Sequence, residues 1–152
     1  PNHAEERFLP YTPEQIFDLV ADIERYPEFL PWCVAARITQ RENEVLTADM
    51  IVGFTAIREK FTSKVTLKRP DRIDVKYIKG PFKYLKNSWI FIAKDQGCVI
   101  EFDIAFEVRS RLLRRILEPL FGEAVRRMVA AFDRRAEVVY GEGAGAPAPD
   151  TA

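Results

Sequence analysis

The stretch that decides the fold is Arg111–Tyr140, RLLRRILEPLFGEAVRRMVAAFDRRAEVVY. Its apolar residues recur every three or four positions, which predicts one amphipathic α-helix of roughly eight turns, roughly 45 Å long. Asp133 and Glu137 are predicted on the opposite, solvent-facing side. Such a helix requires an apolar surface of similar length to pack against. The predicted buried side consists of Leu113, Leu117, Leu120, Phe121, Ala124, Met128, Ala131, Phe132 and Val139.

Residues 34–108 supply that surface as a predicted antiparallel meander of six strands. Turn-forming residues at 41–43, 69–71 and 95–97 separate strands with alternating apolar and polar side chains. Alternation implies that the sheet buries one face and exposes the other. The sequence therefore predicts an α+β fold in which the C-terminal helix packs on one side of the sheet.

The start of the chain predicts a strand at His3–Leu9 and a helix from Pro13 to Ile23. Thr12 is the expected N-cap of this helix, and Gln15 completes a capping box with it. The helix is expected to bury its apolar side against the rest of the domain.

Two prolines shape the segment that follows. Pro27 and Pro31 limit a second short helix to one turn at residues 28–30, since proline interrupts helical hydrogen bonding. The apolar side chains gathered here either line the mouth of a pocket or simply hold the two short helices together. They are Ile23, Tyr26, Phe29, Leu30, Trp32 and Val34.

The composition limits the classes of partner. The 152 residues include 23 Lys+Arg and 23 Asp+Glu, and 47% of residues are hydrophobic, which suits one domain. A net charge of zero argues against a dedicated DNA-binding protein. The charge is uneven, because residues 109–141 hold eight arginines and four acids. That helix is interpreted either as a weakly basic surface for phosphate or lipid or as an ordinary solvated face.

Metal sites and hydrolase chemistry are not expected. The chain has two cysteines, Cys33 and Cys98, without a CxxC pair, and its one histidine is His3. A structural zinc site or a nucleophile activated by histidine would need more such residues. Free, buried cysteines suit a reducing compartment.

The inward faces of the strands predict a binding cavity without catalytic groups. Gly80 and Pro81 predict a bulge that places the Phe82 ring at a rim. No acid, histidine or lysine falls at the inward strand positions that alternation defines, so general acid–base catalysis lacks its groups. The predicted ligand-binding residues are Tyr26, Phe29, Leu30, Trp32, Phe61, Tyr77, Phe82, Trp89, Phe91, Phe102, Phe106, Phe121, Met128 and Arg135.

Arg135 is the one charged residue within the apolar arc of the long helix. A buried arginine needs a partner. Two interpretations are kept: an ion pair with Asp22 on the first helix, or a contact with the polar head of a ligand. Trp89, Tyr77 and Ser63 are further candidate hydrogen-bond donors to such a head.

Four motifs in order resemble the coenzyme Q-binding START-like family. They are Tyr11–Val20 followed by Tyr26–Cys33, Gly80–Lys83 with Trp89–Phe91, Glu101–Phe102, and Ala131–Phe132 with Arg135–Ala136. The resemblance implies a helix-grip fold of the START and Bet v 1 type. In that fold a curved antiparallel sheet of six to seven strands wraps around the C-terminal helix, and two short helices follow the first strand. The predicted domain spans residues 1–141, and residues 142–152, rich in glycine, alanine and proline, are predicted from their composition to form a disordered tail.

The resemblance also implies two activities, and the wider superfamily carries the label polyketide cyclase/dehydrase. The first activity, our leading prediction, is non-enzymatic binding of ubiquinone or a similar isoprenoid lipid in support of respiration, without a further cofactor. The alternative is association with the large ribosomal subunit that blocks subunit joining. No signal peptide or membrane-spanning run is evident, so a cytoplasmic protein with transient inner-membrane contact is expected, with a mitochondrial protein as the alternative.

Overall fold

A computed structural model describes residues 1–54 and 56–141, and the predicted tail at 142–152 lies outside them. Seven antiparallel strands form one curved sheet in the order β1-β7-β6-β5-β4-β3-β2. The strands are β1 Asn2–Leu9, β2 Cys33–Glu42, β3 Val45–Phe54, β4 Ile57–Lys68, β5 Arg72–Lys79, β6 Phe82–Lys94 and β7 Gly97–Val108. The predicted meander and first strand are confirmed. β1 pairs with β7 and so places the start of the chain at one edge of the sheet.

Helix α1 spans Pro13–Ala21 and begins as predicted. Thr12 Oγ1 accepts from the Gln15 amide at 3.1 Å, and Gln15 Oε1 accepts from the Thr12 amide at 2.9 Å. The predicted turn at 28–30 is wrong, because a 3-10 helix already occupies Ile23–Glu28. The Tyr26 carbonyl accepts from the amides of both Phe29 and Leu30, which ends that helix.

The long C-terminal helix is interrupted, so its prediction as one continuous helix is wrong. Helix α2 covers Arg111–Leu117, a 3-10 turn covers Glu118–Leu120, and α3 covers Phe121–Tyr140. Pro119 has no amide hydrogen to continue the α-helical ladder, and the chain tightens there instead. The apolar spacing on both sides of Pro119 conceals this break in a periodicity analysis.

Burial along α3 also differs in part from the prediction. Ala131 and Phe132 are buried as expected, but Val139 is exposed, while Val125 and Ala136 are buried. The end of α3 is attached by hydrogen bonds rather than by Val139. Tyr140 Oη donates to the Gln15 carbonyl at 2.8 Å, which ties the last turn to α1.

The predicted bulge at the start of β6 is confirmed, whereas the predicted position of Phe82 is wrong. Gly80 has φ 144°, and the β6–β7 register shifts between Phe82 and Tyr84. Phe82 does not stand at a rim: it is 8% exposed. The irregular backbone turns this ring inward, onto Phe61, Tyr77 and Phe106.

Candidate functional site

A small cavity lies between the inner face of the sheet, α1 and α3. Its volume is about 30 Å³, room for one or two water molecules, whereas sites for organic ligands typically enclose about 300–1,000 Å³. A bulky ligand could enter only if the lining side chains moved apart. The lining residues are Glu5, Arg7, Leu9, Ile16, Leu19, Val20, Trp89, Ile100, Phe102, Met128, Val129, Phe132 and Asp133.

One end of the cavity is charged, which the sequence analysis missed. Arg7 donates to both carboxylate oxygens of Asp133, at 2.9 Å from Nη1 to Oδ2, and its Nε lies 3.3 Å from Glu5 Oε2. His3 Nε2 lies 2.7 Å from Glu5 Oε1. These four side chains pair with one another, and the Arg7–Asp133 pair links β1 to α3. The alternation of His3, Glu5 and Arg7 along the predicted first strand was the available signal, but the sequence does not show which side of that strand faces α3.

Two predictions are corrected by this network. Asp133 was predicted to face solvent, yet it is partly buried between α3 and β1. The inner face was predicted to hold no acid or histidine, yet Glu5 and His3 lie on the cavity side of β1. β1 is an edge strand, so the polar side of α3 packs against it while remaining partly exposed to solvent. Charged side chains can therefore lie at this contact without full burial.

A wide, open cleft of about 600 Å³ adjoins the cavity. Leu9 and Asp133 line both spaces, and Pro10, Tyr11, Glu137 and Gly141 complete the cleft. The Arg7–Asp133 ion pair therefore lies at the boundary between the small cavity and the open cleft.

The predicted ligand-binding residues separate into two clusters. The first surrounds Trp89 and includes Tyr26, Phe29, Leu30, Phe91, Phe102 and Met128. Of the fourteen residues only Trp89, Phe102 and Met128 line the cavity. Phe132 forms the centre of this cluster, with ring centroids 5.2 Å from Phe29 and 5.3 Å from Trp89. Tyr26 donates its hydroxyl hydrogen to the Val20 carbonyl, so it secures α1.

The second cluster packs around Phe82 and lies apart from the cavity. Phe61, Tyr77 and Phe106 each place a ring edge-on to Phe82 with centroids 5.5 Å away. Phe121 joins it through Phe106, at 5.3 Å. Trp32 is half-buried and lines neither the cavity nor the cleft, so it and the five predicted residues of this cluster do not border the cavity.

Most of the predicted hydrogen-bond donors already have protein partners. Trp89 Nε1 donates to Asn87 Oδ1 at 3.0 Å, and Arg135 donates to Glu28. The Tyr77 hydroxyl accepts from the Phe82 amide at 3.1 Å, a bond that does not use its own hydrogen. Ser63 Oγ is the exception: it is buried and has no hydrogen-bond partner among the described residues. An unpaired buried hydroxyl is unfavourable and would be stabilised by a ligand acceptor. Ser63 lines neither the cavity nor the cleft, so the surrounding side chains would have to move for a ligand to reach it.

Arg135 pairs with Glu28, so the predicted ion pair with Asp22 is wrong. Its Nη2 donates to Glu28 Oε1 at 2.9 Å, and its guanidinium lies 5.1 Å from the centroid of the Phe29 ring. Asp22 pairs with Arg25 instead. Because the 3-10 helix extends to Glu28, the Glu28 carboxylate lies next to Arg135 on α3. Arg135 does not line the cavity.

The Glu28–Arg135 pair predicts a pH-dependent contribution to stability. The hydrogen bond from Arg135 holds the pKa of Glu28 below its usual value of 4.5. A lowered folded-state pKa contributes stability that is complete above the unfolded-state pKa and is lost as the pH falls through the folded-state value. We expect Glu28→Gln to lower the urea midpoint at pH 7 and to match wild type well below pH 4.5.

Glu44→Gln is the matched control, because Glu44 is exposed in a turn and its carboxylate makes no ion pair within residues 1–54 and 56–141. Its midpoint should follow wild type at every pH. An equal loss for Glu28→Gln at pH 7 and in acid would contradict the assigned role.

The cysteines are free and buried, and the burial raises the pKa of each thiol to about 11. Both are therefore protonated at neutral pH and poorly nucleophilic. Within the described part of the chain, no three His, Cys, Asp or Glu side chains are grouped to hold a metal ion.

Residues 9–133 match the family model described as polyketide cyclase / dehydrase and lipid transport. The chain belongs to this family. A START superfamily protein from Mycobacterium smegmatis has the same fold, with a TM-score of 0.76 at 18% identity over 91% of this chain and 98% of that one. The predicted helix-grip architecture is therefore confirmed for this member of the polyketide cyclase / dehydrase and lipid transport family.

Two curated relatives within this family carry informative names. The ribosome association toxin RatA of Rickettsia prowazekii is 39% identical over 88% of this chain and 94% of its own length. The mitochondrial coenzyme Q-binding protein COQ10 homolog B of Xenopus laevis is 29% identical over 91% of this chain and 59% of its own length. The predicted resemblance is confirmed, and both names describe association or binding rather than a reaction. None of the described helices combines the length and apolar character needed to cross a membrane.

Proposed function

We propose that this protein associates with the large ribosomal subunit and blocks subunit joining, as a RatA-type member of its family. The 39% identity across 94% of a RatA sequence carries the proposal. The packed interior supports it, because a cavity of about 30 Å³ favours action through the outer surface over action on an enclosed ligand. The protein would work in the cytoplasm.

Co-sedimentation with purified ribosomal subunits tests this function. We expect the protein to pellet with large but not small subunits at low salt, and to reduce the joined-ribosome peak in a sucrose gradient. Affinity should fall as salt rises, since contacts to phosphate release counterions. Absence from the large-subunit pellet at low salt would refute the proposal.

A second candidate is binding of a polyprenyl quinone, and the unpaired Ser63 hydroxyl favours it. A quinone carbonyl could accept from that group, and the aromatic interior could bury the isoprenoid tail at about 25 cal/mol per Å². The ligand would be acquired during transient contact with the inner membrane. It would enter from the open cleft, where the Arg7–Asp133 pair would have to separate.

Titration with short-chain ubiquinone tests this candidate through quenching of tryptophan fluorescence and the rise in melting temperature. We expect Ser63→Ala to weaken binding roughly fivefold or more, the cost of one hydrogen bond. Organic extraction of the native protein should recover the quinone chemically unchanged, since neither role includes a reaction. No quenching, no thermal shift and no lipid in the extract would remove the candidate.

A further inference from the structure

Three lysines form a row across the outer face of the sheet. Lys64 on β4 is directly opposite Lys76 on β5, and Lys76 is directly opposite Lys86 on β6. Directly paired residues share a face, with strands roughly 5 Å apart. Their neighbours along the strands, Val65 and Leu85, are buried on the inner face, so the lysines project outward. We call Lys64, Lys76 and Lys86 the lysine row.

No acid lies directly opposite any of these lysines in the register of the sheet. The register continues the row to Thr47 on β3 and Ala105 on β7, which are both uncharged. Like charges directly opposite one another destabilise a sheet. None of the three lysines makes an ion pair in the part of the chain that the structure describes. Repulsion between the three lysines is therefore not relieved by a direct ion pair among the described residues.

Nearby carboxylates on the same face are engaged elsewhere. Asp74 Oδ2 lies 2.7 Å from Arg72 Nε, and Asp103 accepts from Ser88 Oγ at 2.6 Å. Asp49 accepts from Thr62 Oγ1 at 2.5 Å, and Glu107 pairs with Lys83 and Arg114. Asp103 and Asp49 keep their negative charge, because their hydroxyl donors are neutral, but none of these carboxylates pairs with a lysine of the row in the described part of the chain. The three ammonium groups therefore remain available to an external anion.

Exposed apolar side chains adjoin the row on this face. Ile78, two residues beyond Lys76, is 45% exposed, and Tyr84, two residues before Lys86, is 42% exposed. Aromatic rings beside cationic side chains are how proteins bind unpaired RNA, with bases stacked on the ring and phosphates on the cations. Two such side chains offer too little apolar area to insert into a lipid surface.

We propose that the lysine row and Tyr84 bind an unpaired RNA segment by its phosphate backbone and one stacked base. This deepens and rests on the proposed ribosomal function, because it assigns the contact to the outer face of the sheet and to RNA. On this proposal the arginines of α2 and α3 do not contact the RNA, although residues 109–141 are the more basic stretch of the sequence.

The test compares Lys64→Gln/Lys76→Gln/Lys86→Gln with a matched control, Arg111→Gln/Arg115→Gln/Arg134→Gln. The control removes the same charge from exposed arginines of α2 and α3. The probes are fluorescent oligouridylate, purified large subunits and phosphatidylglycerol vesicles. We expect the lysine variant to bind oligouridylate at least about tenfold more weakly and with a log–log salt slope shallower by about 2, for three lost phosphate contacts.

Tyr84→Ala should weaken oligouridylate binding about fivefold or more, the value of one stacked base. The arginine control should stay within about twofold of wild type, since phosphate contacts are local. The lysine variant should fold with an unchanged or higher melting temperature, because repulsion within the row is removed.

The outcomes separate the inference from the proposed function. If wild type pellets with large subunits and the lysine variant pellets equally well, the inference fails and the function stands. If wild type binds oligouridylate through the row but not the subunits, the function fails and the inference stands for RNA. If the arginine control weakens oligouridylate binding as much as the lysine variant does, the inference is overturned. It is also overturned if the lysines are needed for binding to vesicles and the protein does not bind oligouridylate.

Discussion

Replacement of Phe132 by alanine is expected to lower the free energy of unfolding by about 3–5 kcal/mol. Phe132 is 8% exposed and contacts Tyr26, Phe29 and Trp89 with centroid distances of 5.6, 5.2 and 5.3 Å. Its removal deletes three edge-on aromatic contacts and joins the vacated space to the existing cavity. Urea unfolding followed by fluorescence measures the loss.

Two comparison variants make this prediction specific. Val138→Ala, on the same helix but 75% exposed, should change the free energy by less than about 0.5 kcal/mol. Phe132→Leu should lie between wild type and alanine, because it restores part of the lost volume. If Phe132→Ala lowers the free energy of unfolding by less than about 1 kcal/mol, the packing of α3 does not depend on this ring.

Gly80→Ala is expected to have the second largest effect, about 2–4 kcal/mol of lost stability. Gly80 has φ 144°, a conformation that alanine rarely adopts. An added Cβ would also lie 2.6 Å from Phe61 Cβ and 3.0 Å from the Lys60 carbonyl oxygen. Relief of these contacts would push β5 and β6 away from β4 and disturb the Phe82 cluster. Thermal unfolding and near-UV circular dichroism report the two effects.

Gly122→Ala is the matched control for the same substitution. Gly122 lies in the first turn of α3, and an added Cβ there meets only Arg126 Nη1, at 3.7 Å. Alanine should stabilise this variant by about 0.5 kcal/mol, since it loses less conformational entropy than glycine. Equal destabilisation by both substitutions would show that the backbone at Gly80 is not the cause.

Local signals predicted the elements whose causes lie within a few residues. The capping box at Thr12 and Gln15 formed as expected, because both of its hydrogen bonds connect residues three positions apart. The bulge after Gly80 also followed from local backbone freedom. The break at Pro119 was visible in the sequence as well, but the apolar spacing of the flanking residues outweighed it in the prediction.

Contacts between residues far apart in the chain could not be predicted from local signals. Arg135 lies 107 positions from Glu28, and Arg7 lies 126 positions from Asp133. Several acidic residues could have paired with Arg135 or with Arg7 on the basis of charge alone. The pairs that form depend on where the 3-10 helix ends and on which face of α3 packs against β1. The predicted aromatic lining likewise separated into two clusters, because each ring packs according to its strand position rather than its residue type.

The sequence by itself determined the family, the antiparallel meander, the capped first helix and the apolar faces that pack together, because alternation and helical spacing are properties of the chain. Only the tertiary structure decided that the cavity in the interior measures about 30 Å³, that Arg7 pairs with Asp133, and that Lys64, Lys76 and Lys86 lie side by side. Packed volume and cross-strand register depend on how separate segments fit together in space.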